Sequence, residues 1–226
     1  LGTALDGVGA VYISYYPDLA VPGAAETVGA FSRLAVASGV TRLVLLSGRG
    51  EAEAQRAEEM LKASGAEWTI LRCAWFSQNF SEGFLIEPLL AGEVALPVGP
   101  VGEPFVDVDD IADAAEAVLT GPGHVGQLYE LTGPRLLSFA DAVAEIAKAV
   151  GRDIRFVRVS HDEFTAAVAS HELPPEIVWL LDELFTKVLD GRNESLTDGV
   201  QRVLGRAPKD FSAYATETAA SRIWSN

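Results

Sequence analysis

Three short stretches gather side chains able to bind a flat ligand or handle a proton. Ser14, Tyr15 and Tyr16 follow one apolar run; Ser47, Gly48 and Arg49 follow a second; Arg72, Cys73, Ala74, Trp75 and Phe76 follow a third. If these runs are strands of an open parallel sheet, their carboxyl ends are where such a sheet binds ligands. Aromatic side chains concentrated there would line a pocket for a flat cofactor or substrate. The competing reading has Trp75, Phe76 and Phe80 only covering a junction between lobes.

The segment Ser47-Gly48-Arg49-Gly50 stands between a strand and a helix, the context a phosphate-cradling turn requires. It has no third glycine, and no acidic residue ends a following strand at the required distance, so it reads as a tight turn. Gly7-Val8-Gly9 precedes a strand and opens no helix. Asp107, Asp109, Asp110 and Asp113 are dense enough to suggest a metal, yet carboxylates where a helix begins are favoured by its dipole, and the capping reading outweighs the metal. His124, His161 and His171 show no shared ligand spacing and read as surface residues. Cys73 has no histidine near it in sequence and no expected role as a nucleophile.

Apolar runs alternating with helical patterns must position these residues. Residues 8–14, 42–46 and 68–71 read as buried strands, and 24–38 and 51–64 as helices, the latter with Ala57, Met60, Leu61 and Ser64 along one face. Gly39 and Gly65 close them. Strands apolar on both faces need helices on both sides of the sheet. Beyond Gln78 the pattern predicts a helix over 80–91, strands over 105–108, 128–131 and 155–159, and helices over 110–119, 138–150, 162–170 and 175–190. Ser138 is the expected N-cap of the amphipathic helix it opens. The expected class is α/β: a Rossmann-like parallel sheet with a smaller, helix-rich carboxy-terminal lobe. Its expected division is 1–80 and 81–226, packed as one unit.

The chain has 226 residues, with 17 Lys+Arg against 32 Asp+Glu and a formal charge of −15. Scattered basic residues on an acidic chain disfavour nucleic acid and a polybasic membrane contact. The residues 71–90 are greasy but carry Arg72, Glu82 and Glu87, so no membrane span is expected. One cysteine and no signal-like start make a cytoplasmic protein the simplest expectation.

The stretches LGTALDGVGAVYIS at the start, ASGVTRLVLLSG over 37–48 and EEMLKASGAEWTILRCAWFSQNF over 58–80 occur in a telling order. PFVDVDDIADAAEAVL over 104–119, GQLYELTGP over 126–134 and the tail LTDGVQRVLGRAPKDFSAYA follow. Together they resemble the NmrA-like branch of the atypical short-chain dehydrogenases, which includes type-2 NAD(P)H:quinone oxidoreductases and redox-sensing regulators. The resemblance implies an NAD or NADP cofactor, a small-molecule substrate and, by position, a set of site residues. Ser14, Tyr15 and Tyr16 would border the adenosine and ribose; Ser47, Gly48 and the Cys73, Ala74, Trp75 and Phe76 turn would approach the nicotinamide; Trp75, Phe76 and Asn79 would face the substrate.

Two departures matter. Cys73 stands where the family usually has proline. The Tyr and Lys four residues apart of short-chain dehydrogenases are missing from EAEAQRAE over 51–58, which leaves Ser47 as the hydroxyl helper for an oxyanion left by hydride transfer. The resemblance also implies that Leu1 falls at the end of a third crossover helix. About 60 to 70 residues with the glycine-rich turn would then precede it in a protein of about 290, and the exposed strand edge would favour association, such as a homodimer. The leading expectation is an NAD(P)H-dependent oxidoreductase reducing a quinone or similar small carbonyl compound. The alternatives are a non-catalytic NAD(P)-binding redox sensor and a nucleotide-sugar epimerase or reductase.

Overall fold

The computed structural model describes residues 2–169 and 174–225. In chain order a 3-10 turn (Gly2–Leu5) is followed by β1 (Ala10–Ile13), α1 (Ala24–Ala37), β2 (Arg42–Gly48), α2 (Ala52–Lys62) and β3 (Glu67–Cys73). A second 3-10 turn (Ser77–Phe80) leads to α3 (Ile86–Ala91), β4 (Glu93–Leu96), α4 (Val108–Thr120), β5 (Gln127–Leu131), α5 (Phe139–Val150) and β6 (Arg155–Arg158). The chain ends with α6 (His161–Ala169), α7 (Pro175–Glu183), a π-helical turn (Leu184–Val188), α8 (Gly199–Leu204) and α9 (Phe211–Ala220).

These elements form two compact units. The first comprises Leu1–Cys73, Asp109–Leu131 and Thr197–Arg206, and the second Ala74–Val108, Thr132–Leu196 and Ala207–Asn226. The chain therefore leaves the first unit directly after β3 and returns to it twice.

In the first unit four parallel strands lie in the order β1-β2-β3-β5. Leu43, Val44, Leu45, Ile70 and Leu71 are fully buried, as parallel strands covered by crossover helices must be. Register sets Ile13 beside Leu45, Ser47 beside Arg72 and Cys73 beside Leu131. Each crossover returns the chain to the same end of the sheet, so Ser14, Ser47 and Cys73 sit at or just past the carboxyl ends of their strands. Helix α1 meets α2 closely enough that a Cβ on Gly29 would touch Met60 at 3.0 Å.

The second unit pairs β4 with β6 in parallel and surrounds them with α3, α5, α6, α7 and α9. Its core is aromatic, with Phe80, Phe105, Phe139, Phe185, Phe211 and Trp224 buried. Trp224 Nε1 donates to the Phe80 carbonyl at 2.7 Å, satisfying the polar edge of a buried indole. Ser138 caps α5 as expected: its Oγ accepts the Asp141 N–H at 3.1 Å and the Asp141 carboxylate accepts the Ser138 N–H at 3.0 Å.

Three expectations change. The helix over 80–91 is a 3-10 turn and a separate short helix starting at Ile86. Pro88 accounts for the break, since its ring clashes with the carbonyl four residues earlier and confines it to a first turn. The strand over 105–108 reduces to one bridge between Phe76 and Val106, because Pro104 has no N–H to continue a ladder. The helix over 175–190 ends at Glu183 and widens into the π-turn. Helix α6 ends at Ala169 among the described residues; Ser170 and His171 lie outside them. No helix of the described residues is long and apolar enough to cross a membrane.

Candidate functional site

In the first unit the row Ser47, Arg72 and Glu130 runs level across three strands, so the three side chains share one face. There they meet Glu58 of α2. Ser47 Oγ donates to Glu58 Oε1 at 2.6 Å; Arg72 donates from Nε to Oε1 at 2.9 Å and from Nη2 to Oε2 at 2.5 Å. Arg72 Nη1 reaches Glu130 Oε1 at 2.8 Å, and Arg49 Nε lies 3.3 Å from Glu130 Oε2. Glu58 is 1% exposed, and a carboxylate so deep is tolerated only with partners of this quality. The hydrogen bonds that Arg72 donates to Glu58 raise its already high pKa, so the guanidinium stays charged. Ser47 is thus at the strand end as expected, with its hydroxyl proton directed to Glu58.

Past β2, Gly50 adopts φ 78°, a conformation that suits glycine and turns the chain into α2. This agrees with the tight-turn reading. Glu51 then folds its carboxyl back over Gly48, where a Cβ would lie 2.2 Å from Oε1. Asp18, in the loop after β1, hydrogen-bonds Glu51, and its Oδ1 accepts the Ala20 N–H at 2.8 Å. Burial, and then the Asp18 charge, push the Glu51 carboxyl well above the usual range. Burial also raises Asp18. The Cys73 thiol, buried beside them, is raised by burial and by Glu51, so it stays protonated, in keeping with no nucleophilic role.

A groove of about 670 Å³ opens along the end of β1 and the face of α1, lined by Tyr12, Ser14, Tyr15, Glu26, Phe31 and Leu34 among others. Its volume is of small-ligand size. Ser14 is exposed, Tyr15 half-buried and Tyr16 88% exposed. Ser14 offers this groove a hydroxyl and Tyr15 an aromatic ring. Glu26 is the charged residue among the groove's lining side chains, so the groove is no cradle for a pyrophosphate.

In the second unit Ala74 is buried, while Trp75, Phe76 and Asn79 are half-buried. The Trp75 ring lies 5.3 Å from Phe139, edge-on, and 5.3 Å from Phe185, tilted. The Ser77 N–H donates to the Val106 carbonyl and the Val106 N–H to that of Trp75, both at 2.9 Å, which fixes the segment's backbone. Phe80 is fully buried core. Phe84, unremarked in the sequence, is 41% exposed and stacks edge-on against Phe185 at 5.7 Å. Trp75 and Phe84 thus both pack against Phe185.

The acidic run is explained by ion pairs as much as by capping. Arg206 pairs with Asp110 and Asp113 at 2.5 Å each, and Lys209 lies 3.5 Å from Asp107. His124 departs from its surface reading: it is half-buried, its Nδ1 2.9 Å from the Tyr129 hydroxyl. His161 is exposed beside Asp182. Glu51, Glu58 and Asp18 were not singled out by the sequence. For Glu58 a signal existed, because Ala54, Ala57, Glu58 and Leu61 form the buried stripe of α2, and a carboxylate on such a stripe calls for a buried partner.

No protein-family model matches the chain. Among curated proteins, the NAD(P)H azoreductase of Xenophilus azovorans is 28% identical over 233 residues, covering 98% of this chain and 79% of that protein. Festuclavine dehydrogenase of Aspergillus fumigatus is 30% identical over 227 residues, covering 96% and 76%. Among solved structures, an Escherichia coli NADPH-dependent quinone oxidoreductase complexed with NADPH superposes with a TM-score of 0.81 at 24% identity, covering 96% of this chain and 78% of that one. The fold is shared with it.

Proposed function

Because the chain belongs to the family of NAD(P)H-dependent oxidoreductases that includes festuclavine dehydrogenase, we propose that it reduces a quinone or a similar small carbonyl compound, on the NmrA-like branch of that family. The observation that carries this reading is Trp75: a half-buried indole braced by Phe139 and Phe185, with the partly exposed Phe84 packed on the same Phe185. Such a surface suits a flat conjugated acceptor. The bound cofactor supplies the hydride.

The remaining work falls to the chain's own residues. In the first unit Ser14, Tyr15 and Tyr16 hold the ribose and adenosine side, and Ser47, Gly48 and Cys73 shape the strand ends toward the nicotinamide. In the second unit Trp75, Phe76 and Asn79 orient the acceptor and keep it dry. The Glu58, Arg72 and Glu130 network holds Ser47 in place. The charge of −15 supports the exclusion of nucleic acid as a partner.

The test is oxidation of NADPH and of NADH by the full-length protein with a panel of quinones. Turnover is expected, and Trp75→Ala should raise the quinone KM about tenfold, equivalent to about 1.4 kcal/mol of lost aromatic contact. Tight cofactor binding with no turnover on any quinone would refute the reading and favour a redox sensor.

A further inference from the structure

Between β4 and α4 of the second unit stands a carboxylate, Glu103, that is 1% exposed. Burying such a group is costly unless its oxygens accept hydrogen bonds. One donor to it is the backbone N–H of Trp75, 3.4 Å from Glu103 Oε1. The stretch that carries Glu103 is anchored along its length. The Gly102 N–H donates to Glu194 Oε1 at 2.5 Å. Glu103 and Leu137 exchange backbone bonds, the Glu103 N–H donating at 2.8 Å and its carbonyl accepting at 3.0 Å. The Pro104 carbonyl accepts the Gly133 N–H at 3.0 Å. Gly133 passes so close that a Cβ on it would lie 2.1 Å from the Phe105 carbonyl oxygen. Residues 102–106 therefore form a strap fixed by its neighbours, and the Trp75 backbone hangs on it twice. Its carbonyl accepts the Val106 N–H at 2.9 Å, and its N–H meets the Glu103 carboxylate.

We propose that Glu103 is a positioning residue for the acceptor: its carboxylate fixes the Trp75 backbone and thereby the direction in which the indole leaves it. The inference rests on the reading that Trp75 orients the quinone. A residue tied at its carbonyl alone keeps rotation about its N–Cα bond, and that rotation swings the side chain. Tying the N–H as well removes this freedom. An ionised acceptor also holds an N–H more strongly than a neutral one. The ring is then placed from both ends, by the strap at the backbone and by Phe139 and Phe185, each 5.3 Å from it, at the indole. An acceptor that finds the ring already in place loses less freedom on binding. Glu103 acts through Trp75, so its loss should appear in KM and not in kcat.

The experiment compares the full-length protein with Glu103→Gln and Glu103→Leu. Glutamine keeps a side-chain oxygen for the Trp75 N–H, whereas leucine fills the space and accepts nothing. Glu103→Leu should raise the quinone KM about fivefold, with kcat and cofactor affinity within about twofold, and Glu103→Gln should bring KM back to within about twofold of the parent. In the Trp75→Ala background Glu103→Leu should raise KM no further, because the two residues act as one unit.

Two readouts need no turnover. In cofactor-free protein labelled with fluorotryptophan, the Trp75 resonance, identified by its loss in Trp75→Ala, should move in Glu103→Leu and stay in place in Glu103→Gln. In the parent, the Trp75 amide should exchange slowly with deuterium. A merely structural Glu103 would lower Tm in the leucine variant and leave KM and the Trp75 resonance unmoved, which would overturn the assignment. So would a glutamine variant no better than the leucine one, or a parent Trp75 amide that exchanges like one open to solvent; this last holds even if neither variant folds. A parent that turns over no quinone would refute the reading beneath the inference, a result distinct from quinone turnover with a KM indifferent to Glu103.

Discussion

Replacing Arg72 with methionine keeps most of the aliphatic stem and deletes the guanidinium that joins Glu58 to Glu130. Glu58 is 1% exposed and Arg72 19%, whereas Glu130 at 31% can be solvated by rotating outward. The loss is therefore concentrated on Glu58, which keeps one donor, the Ser47 hydroxyl at 2.6 Å. Breaking a buried pair from one side costs about 3 to 5 kcal/mol, and the surviving hydrogen bond sets the expectation at the lower end, about 3 kcal/mol. For a chain of this size that corresponds to a fall of about 6 to 12 °C in Tm. Scanning calorimetry and urea unfolding would measure it. The double variant Arg72→Met with Glu58→Leu removes the stranded charge as well and should recover most of the loss, since an apolar replacement of a whole buried pair is often neutral. A single variant within about 1 kcal/mol of the parent, or a double variant no more stable than the single, would refute the claim that Glu58 is a paired, desolvated charge.

Three further outcomes follow from the same geometry. Because the folded protein raises the Glu51 carboxyl above its ordinary range, its contribution to stability is fully present below the unfolded value and is lost as pH rises through the folded one. Glu51→Gln should thus flatten the decline of Tm on the alkaline side, and a parallel decline would count against the raised carboxyl. Asp210 is held well below its ordinary range, chiefly by the Arg135 hydrogen bonds and against the effect of burial. Its contribution is present above the unfolded value and fades as pH falls. Both partners are about a third exposed, so Asp210→Asn should cost only about 1 kcal/mol near neutrality, vanishing in acid; a loss that persists at low pH would point elsewhere. Phe185 is 2% exposed and touches Trp75, Phe84, Phe139 and Phe164. Phe185→Ala should cost about 3 to 5 kcal/mol and shift Trp75 fluorescence to the red, whereas unchanged emission would deny that Phe185 braces the indole.

The parallel strands were legible because a buried strand writes itself as a continuous apolar run, and RLVLL and WTIL are such runs. The cap of α5 was legible because Ser138 and Asp141 make their bonds within one turn. What stayed hidden depends on residues far apart in the chain. Strand β4 finds β6 some sixty positions later, pairing Glu93 with Arg155, and no local pattern announces that partner. The π-turn at Leu184–Val188 breaks a helical rhythm that the sequence carries through without interruption. The site divides in the same way. Ser14, Ser47 and the aromatic stretch after Cys73 could be nominated because strand ends can be read locally. The Asp18 and Glu51 pair could not, since EAEAQRAE looks like a solvated helix face until the loop after β1 is laid against it. Glu58 stands between these cases. Its place on the stripe of Ala54, Ala57 and Leu61 is local, but the reason a carboxylate can stand there is Arg72, supplied by a strand that comes next in the chain and whose own sequence shows an isolated charge in an apolar run. An isolated charge on a buried stripe and another in the following strand are two anomalies that resolve each other, and reading them as one feature would have located the network that fixes Ser47.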